Sequence, residues 1–270
     1  MERLGLIAGN GRFPVIFAET ARAAGISVVA VAHEGETLSE LSGLVDSITW
    51  IKVGELGRMI QTFQTHGVTR AVMAGGIRKA ALMEHFAPDE RAMRFLARLT
   101  TFSDDILLRG IADELQSDGI QIVDSLPFLS SIATPAGVLS PRAPSDQQWR
   151  DIRLGFDVAK GVGRFDVGQS VVVKSGVVLA VEAIEGTDAT MRRGGALGNG
   201  EAVLVKVSKP GQDLRFDVPA VGLATVQVAK EVGIAVIALE AGRTLMLDQR
   251  EFLADAHAAD LIVVGVTPAQ

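Results

Sequence analysis

GLIAGNGRFP, residues Gly5 to Pro14, is the stretch on which the fold turns. A short apolar run, Leu4–Ala8, has the length of a buried strand. A glycine-rich turn follows, and Pro14 then suits the first turn of a helix, where its missing N–H and fixed φ do no harm. That helix is predicted to run to about Ala24, with Gly25 as its stop. A second apolar run, Ile26–Ala32, reads as another strand. Strand, glycine turn, helix and strand make a βαβ unit and hence a parallel sheet with covered faces. The turn offers backbone N–H groups at a helix N-terminus, a ready anion site. It carries two of the three glycines of the dinucleotide fingerprint, with Pro14 standing where the third would be. Glu34, just past the second strand, is where a ribose-binding acid is expected. A tight turn without any ligand is an equally good reading of the same residues.

The grammar repeats outward. Leu56–His66 reads as a helix stopped by Gly67, and Ala71–Ala74 as a short buried strand. Gly75 and Gly76 follow, then Arg78 and Lys79 in the first turn of a helix. Cations there oppose the helix dipole, and a bound anion would relieve the conflict; the alternative is that both point into solvent. Pro88–Leu115 is helical with a break near Thr100–Ser103, and Ser103, Asp104 and Asp105 read as a cap and an acidic first turn. Leu82, Met83, Phe86, Met93, Phe95 and Leu96 form an amphipathic stripe, read first as core and secondly as an acyl site or lid. Ile120–Asp124 closes the pattern as a strand. The fold class expected is α/β: a Rossmann-like parallel-sheet domain over residues 1–130, followed by a linker and a smaller mixed α/β domain.

The linker is expected over 131–164. It is rich in proline, with Pro135, Pro141 and Pro144, and contains a helix, Asp146–Lys160, with Trp149, Ile152, Phe156 and Ala159 at helical spacing. The second domain, 165–270, opens with two β-branched runs flanking Lys174-Ser175-Gly176, a hairpin signal. Strands Ala202–Val207, Ala235–Leu239, Thr244–Leu247 and Leu261–Val266 alternate with helices Thr225–Val232 and Arg250–Ala258, with Asp248 placed to cap the latter.

Composition removes several function classes. The 270 residues contain no cysteine, which rules out disulfides, a thiol nucleophile and a thiolate zinc site. Four histidines are too few for a histidine-rich dinuclear centre unless nearly all converge. A net charge of −6 argues against a nucleic-acid partner. No leader-like segment and no apolar run approaching 18 residues is present, so a cytoplasmic protein is expected. The P-loop and the G-x-S-x-G elbow are both absent.

Two motifs gather acids with cations. EAIEGTDATMRRGG, Glu182 to Gly195, brings Glu182, Glu185 and Asp188 before Arg192 and Arg193. On a strand Val177–Ile184, Glu182 and Ile184 would share a face, so Glu182 interrupts an apolar pattern and needs a partner. A salt-bridge cluster is the plain alternative. KPGQDLRFDVPAVG, Lys209 to Gly222, would align Asp213, Arg215 and Asp217 on one face if extended. Acids of this kind suit Mg²⁺ or Mn²⁺, and cations suit phosphoryl oxygens. Together they point to pyrophosphate chemistry.

With GGIRKA, DVGQSVVV and AGRTLMLD, these stretches resemble, in order and spacing over nearly the whole chain, the LpxI-type UDP-2,3-diacylglucosamine pyrophosphatases. EAIEGTDA and KPxQDxRFDxPxVG carry the specificity; the glycine loop does not. The resemblance implies hydrolysis of UDP-2,3-diacylglucosamine to 2,3-diacylglucosamine 1-phosphate (lipid X) and UMP in lipid A synthesis. It implies Mg²⁺ or Mn²⁺, two domains with the ligand between them, and a homodimer that meets its lipid-linked sugar nucleotide at the inner face of the inner membrane. Asp217 is the first candidate for an essential acid, with Asp213 and Asp188 next, and Asp217, Asp188 and Glu185 are the expected metal set. Lys209, Arg215 and Arg192 would neutralise pyrophosphate charge. Gly9, Asn10, Gly11, Gly75, Gly76 and Arg78 would hold the nucleotide side, with Thr187 and Gln212 as further substrate contacts. Two rivals are an NAD(P)-dependent oxidoreductase built on the glycine turn and Glu34, and a non-catalytic nucleotide or lipid sensor.

Overall fold

The computed structural model describes residues 3–78, 86–99, 104–216 and 218–267. Lys79, Leu82, Met83, Ser103 and Asp217 lie outside them. The chain divides into two compact units. The first comprises Met1–Leu129 and Leu214–Phe216, the second Ser130–Asp213 and Asp217–Gln270.

In the first unit, strands β1 (Arg3–Ala8), β2 (Ser27–His33), β3 (Ser47–Ile51), β4 (Arg70–Ala74) and β5 (Gln121–Ile122) form a sheet in the order β3-β2-β1-β4-β5. Every pairing is parallel. This is half of a doubly wound, Rossmann-like order, with strand order reversing between β1 and β4. Residues 4–8 and 28–33 are buried without alternation, as a sheet covered on both faces requires. Pro14 opens the helix Phe13–Ala23, as its sequence predicts. Phe63, Leu115, Ile51 and Val31 lie at the centre of one core, and Phe216 packs against it. A Cβ on Gly5 would lie 2.8 Å from that of Ala71, so the central strand needs glycine there to admit its neighbours.

The second unit holds a mixed sheet, β6-β13-β11-β9-β7-β8. Its strands are β6 (Gly137–Val138), β7 (Ser170–Lys174), β8 (Val177–Val181), β9 (Ala202–Lys206), β11 (Ile234–Glu240) and β13 (Ile262–Val266). Strands β9, β11 and β13 run parallel, while β7 is antiparallel to β8 and β9. The two-residue strands β10 (Ala220–Val221) and β12 (Leu245–Met246) pair separately. Alternate residues feed opposite cores. Val171, Val173, Val203, Val205, Val236 and Ala238 face the helix Asp146–Gly163. Val172, Leu204, Ile237 and Leu239 face helices Thr187–Gly198, Leu223–Val232 and Gln249–Ala258. Ser145 and Gln148 close a capping box on the helix Asp146–Gly163, which packs on β7 and β9 within this unit. Because Ser130–Arg164 folds here, the second unit matches the first in length rather than being the smaller.

Several local expectations change. Residues 187–198, for which the sequence suggests no helix, are a helix. Its glycines hid it, because glycine weakens helix propensity. They are there for packing: a Cβ on Gly194 would stand 2.5 Å from Val172, and one on Gly195 2.4 Å from the Val232 carbonyl oxygen. Strand β8 ends at Val181, so Glu182 turns inward at 7% exposure while Ile184 is 92% exposed; they share no face. Residues 214–216 form a turn rather than an extended segment, so the alignment of Asp213 with Arg215 is lost. Asp248 stands at the N-cap position in a left-handed conformation and makes no side-chain capping bond.

Candidate active site

Parallel sheets bind ligands at the carboxyl ends of their strands, and here the two units are equipped differently. In the first unit, the turns after β1 and β4 meet. The N–H of Gly9 donates to the Ala74 carbonyl and that of Asn10 to the Gly76 carbonyl, both at 2.8 Å. These two donors therefore serve the neighbouring turn rather than an anion. A Cβ on Gly9 would stand 2.3 Å from Gly76 O, and one on Gly75 2.4 Å from Asn10 O. Gly11, Gly75 and Gly76 are exposed.

The acid at this edge is Glu36, not Glu34. Glu34 is exposed, whereas Glu36 is 5% exposed and its side chain fully covered. Asn10 Nδ2 donates to Glu36 Oε2 at 3.2 Å, and Arg78 donates through its backbone N and its Nε at 2.8 Å each. Burial alone would raise the Glu36 carboxyl, but the Arg78 bonds outweigh it and hold the carboxyl below its ordinary range. His33, buried behind them, donates from Nδ1 to the Ala8 carbonyl at 2.8 Å in the tautomer that satisfies it. Burial lowers its pKa, so it stays neutral. Glu36 and His33 went unread because nothing in their spacing distinguishes them from a strand exit.

At the carboxyl edge of the second sheet, buried side chains do the work. Glu182 lies past β8, Lys206 at the end of β9, Thr187 at the start of its helix and Ser170 at the start of β7. Glu182 Oε1 accepts from Thr187 Oγ1 at 2.9 Å and Oε2 from Gln169 N at 3.3 Å. Lys206, 8% exposed, donates from Nζ to Thr187 Oγ1 at 3.1 Å and to the Ala220 carbonyl at 2.9 Å. Ser170 Oγ lies 3.2 Å from Thr187 Oγ1. An ammonium and a carboxylate are tolerable here because each is hydrogen-bonded. A second set surrounds Ser208, just past β9. Lys160 Nζ donates to both Glu240 oxygens and to the Ser208 carbonyl, all at 2.7 Å. Lys206 and Glu240 were missed, since a lone charge ending an apolar run reads as a strand end reaching water, and Lys160 because it reads as a cation at a helix C-terminus.

The expected site residues distribute as follows. Thr187 joins the Glu182–Lys206 set, and Gln212 the Ser208 set, where its Oε1 accepts from Ser208 Oγ and Lys209 N. Lys209 Nζ pairs with Asp166 Oδ1 at 2.5 Å. Asp188 is exposed in the first turn of its helix. Arg192 pairs with Glu231. Glu185 holds Arg193 at 2.5 Å and also accepts from Thr190 Oγ1 and Ala183 N. Its own backbone, then Arg193, keeps its carboxyl below the usual range. A metal there would compete with an arginine for the same oxygens. Arg215 belongs to the first unit, its guanidinium 4.8 Å from the Phe216 ring centre. Among the described residues, no group of three or more His, Asp or Glu side chains is set to hold a metal ion.

Residues 3–132 match the family model of the LpxI N-terminal domain, and residues 135–264 that of the LpxI C-terminal domain. The chain belongs to the LpxI family. The UDP-2,3-diacylglucosamine pyrophosphatase LpxI of Caulobacter vibrioides is 35% identical to it over 285 residues, covering 99% of each chain. Among solved structures, the biotin carboxylase subunit of a pyruvate carboxylase is 15% identical with a TM-score of 0.27, over 68% of this chain and 39% of that one. The biotin carboxylase domain of Hydrogenobacter thermophilus 2-oxoglutarate carboxylase is 16% identical with a TM-score of 0.24, over 64% and 35%. The chain thus spans well under half of either structure, and these likenesses bear on neither fold nor function.

Proposed function

We propose that this LpxI-family chain hydrolyses the pyrophosphate bond of UDP-2,3-diacylglucosamine, giving lipid X and UMP, in lipid A synthesis. The observation that carries the reading is the match to the Caulobacter vibrioides enzyme at 35% identity over 99% of both chains. Support comes from the second unit, whose sheet edge collects buried cations and acids of the kind a pyrophosphate requires. The oxidoreductase rival loses its ground, because Glu34 is exposed and the acid clusters of the second half stay unexplained by it.

Water adds to one phosphorus, the bridging P–O bond breaks, and the leaving phosphate oxygen departs as an anion. The residues proposed to act are Asp217, to orient or deprotonate that water, with Asp213 and Asp188 completing the acid set. Lys209, Arg215 and Arg192 neutralise phosphoryl charge, and Thr187 and Gln212 orient the substrate. Gly9, Asn10, Gly11, Gly75, Gly76 and Arg78 are proposed for the uridine nucleotide. Mg²⁺ or Mn²⁺, held by Asp217 and Asp188 with Glu185, would lower the pKa of a bound water and offset phosphate charge. Of the three, Glu185 fits least well, because Arg193 already occupies its carboxylate. We place the working protein in the cytoplasm as a homodimer, meeting its substrate at the inner face of the inner membrane. No helix among the described residues is long and apolar enough to cross a membrane.

The test is direct. The protein is incubated with UDP-2,3-diacylglucosamine and Mg²⁺ or Mn²⁺, and UMP and lipid X are followed. Asp217→Ala is expected to keep the fold and lose at least about 100-fold in kcat. Chelation is expected to stop turnover and either metal to restore it. No UMP from the wild-type chain would sink the function; chelator-resistant turnover would sink the metal.

A further inference from the structure

Ser208 has both sides of its backbone held. Its N–H donates to Glu240 Oε2 at 2.8 Å, and its carbonyl accepts from Lys160 Nζ at 2.7 Å. Lys160 lies in the last turn of helix Asp146–Gly163 and Glu240 is the last residue of β11. A helix and a strand distant in sequence thus converge on the second residue past β9. The frame continues outward. Gln212 Oε1 accepts from Ser208 Oγ at 3.2 Å and Lys209 N at 2.8 Å, while Gln212 N donates to Lys209 O at 3.0 Å. A Cβ on Gly163 would stand 3.2 Å from the Lys209 Cα, so the helix end is packed against this turn.

Stability alone does not explain the pair. Glu240 is 2% exposed, and a buried ion pair is often replaced by apolar residues without loss. What the charges supply is direction: two hydrogen-bonding groups of one residue fixed at once. Asp151 shows the contrast. It is equally buried, at 2%, and accepts from Ser175 N at 2.8 Å and Gly176 N at 2.7 Å. It caps the β7–β8 hairpin at the other edge of the sheet, which carries none of the candidate residues.

We infer that Lys160 and Glu240 are positioning residues for the hydrolysis proposed above. Their pair sets the Ser208 peptide and, through Gln212, the placement of Lys209 and Asp213. The inference rests on that functional reading, so wild type and Asp217→Ala are assayed first on UDP-2,3-diacylglucosamine. A silent wild type overturns the reading and the inference together, whereas an unimpaired Asp217→Ala in an active background removes Asp217 from the acid set and leaves both standing. With the wild type active, Glu240→Gln and Lys160→Met are expected to lose about 100-fold in kcat, as misplaced reacting groups do. Their KM should stay within about threefold, since binding groups remain present. Amide exchange at 208–213 should quicken in both. Asp151→Asn, with a comparable fall in Tm, should keep wild-type kcat and the slow exchange of 208–213. Wild-type kcat in folded Glu240→Gln overturns the positioning role alone, as does an equal kcat loss in Asp151→Asn. If Glu240→Gln does not fold, Lys160→Arg is read instead: it keeps the charge but alters the geometry, so lowered kcat supports the role and wild-type kcat overturns it.

Discussion

At the carboxyl edge of the first sheet, two glycine turns meet backbone to backbone, and the acid buried there among the described residues, Glu36, is covered by Arg78 and Asn10. At the carboxyl edge of the second, Lys160, Glu182, Lys206 and Glu240 bring charge into the interior and bond it to main chain and hydroxyls. One edge is made by removing side chains, the other by burying them. The first should therefore be sensitive to added atoms, the second to removed charge.

The largest effect tests the glycine edge. Gly75 has φ +77° and its added Cβ would meet the Asn10 carbonyl, whereas Gly11 has the same φ and open space around it. Gly11→Ala is expected to lose only the left-handed backbone penalty, about 1–2 kcal/mol. Gly75→Ala adds overpacking to that penalty, for a total of about 3 kcal/mol or more. Denaturant unfolding of the two variants measures the difference. Equal losses would mean that the turns do not lock each other and that the contrast between the edges fails.

A smaller effect concerns pH in the first unit. His33 is depressed from 6.5 by burial, so its neutral form is the folded one. That stability is present above 6.5 and drains as pH falls below it. Glu36 is opposed by burial but pulled below 4.5 by Arg78 and Asn10. Its contribution is present above 4.5 and is lost as pH falls toward the folded value. Tm against pH should therefore decline in two stages, the upper abolished by His33→Asn and the lower by Glu36→Gln. A single stage untouched by either variant would remove both residues from the account.

The same contrast explains what could be read in advance. Backbone architecture announces itself: apolar runs, Gly25 and Gly67 as stops, Pro14 as a start and the helical spacing of Trp149, Ile152, Phe156 and Ala159 gave most of the first sheet and the long helix. β3 escaped notice because Ser47-Ile48-Thr49-Trp50 is half polar and half exposed. The helix Thr187–Gly198 escaped because three of its glycines serve tertiary packing, which local propensity does not contain. At the site, motif acids stood out by clustering. Lys206, Lys160 and Glu240 did not, since each is a single charge whose partner lies far along the chain: 80 residues separate Lys160 from Glu240. Glu36 displaced Glu34 because the chain turns at Gly35, and two residues of turn decide which carboxylate faces inward.

The smallest expected change in stability separates a held arginine from a working one. Arg192 and Glu231 form an ion pair with both side chains more than half exposed. Such a pair contributes little, so Arg192→Ala and Glu231→Ala should each shift unfolding by less than about 0.5 kcal/mol. Kinetics need not follow. If Arg192 meets the pyrophosphate, Arg192→Ala should raise KM about tenfold, which is the loss of roughly 1.4 kcal/mol of binding shared by ground and transition states. Glu231→Ala would remove only a competitor for the guanidinium and should leave KM equal or lower. If instead the pair is a surface ornament of the helix Thr187–Gly198, the two variants will be kinetically alike. The second edge would then owe its chemistry to its buried cations, Lys206 foremost, and Arg192 would leave the substrate-binding set.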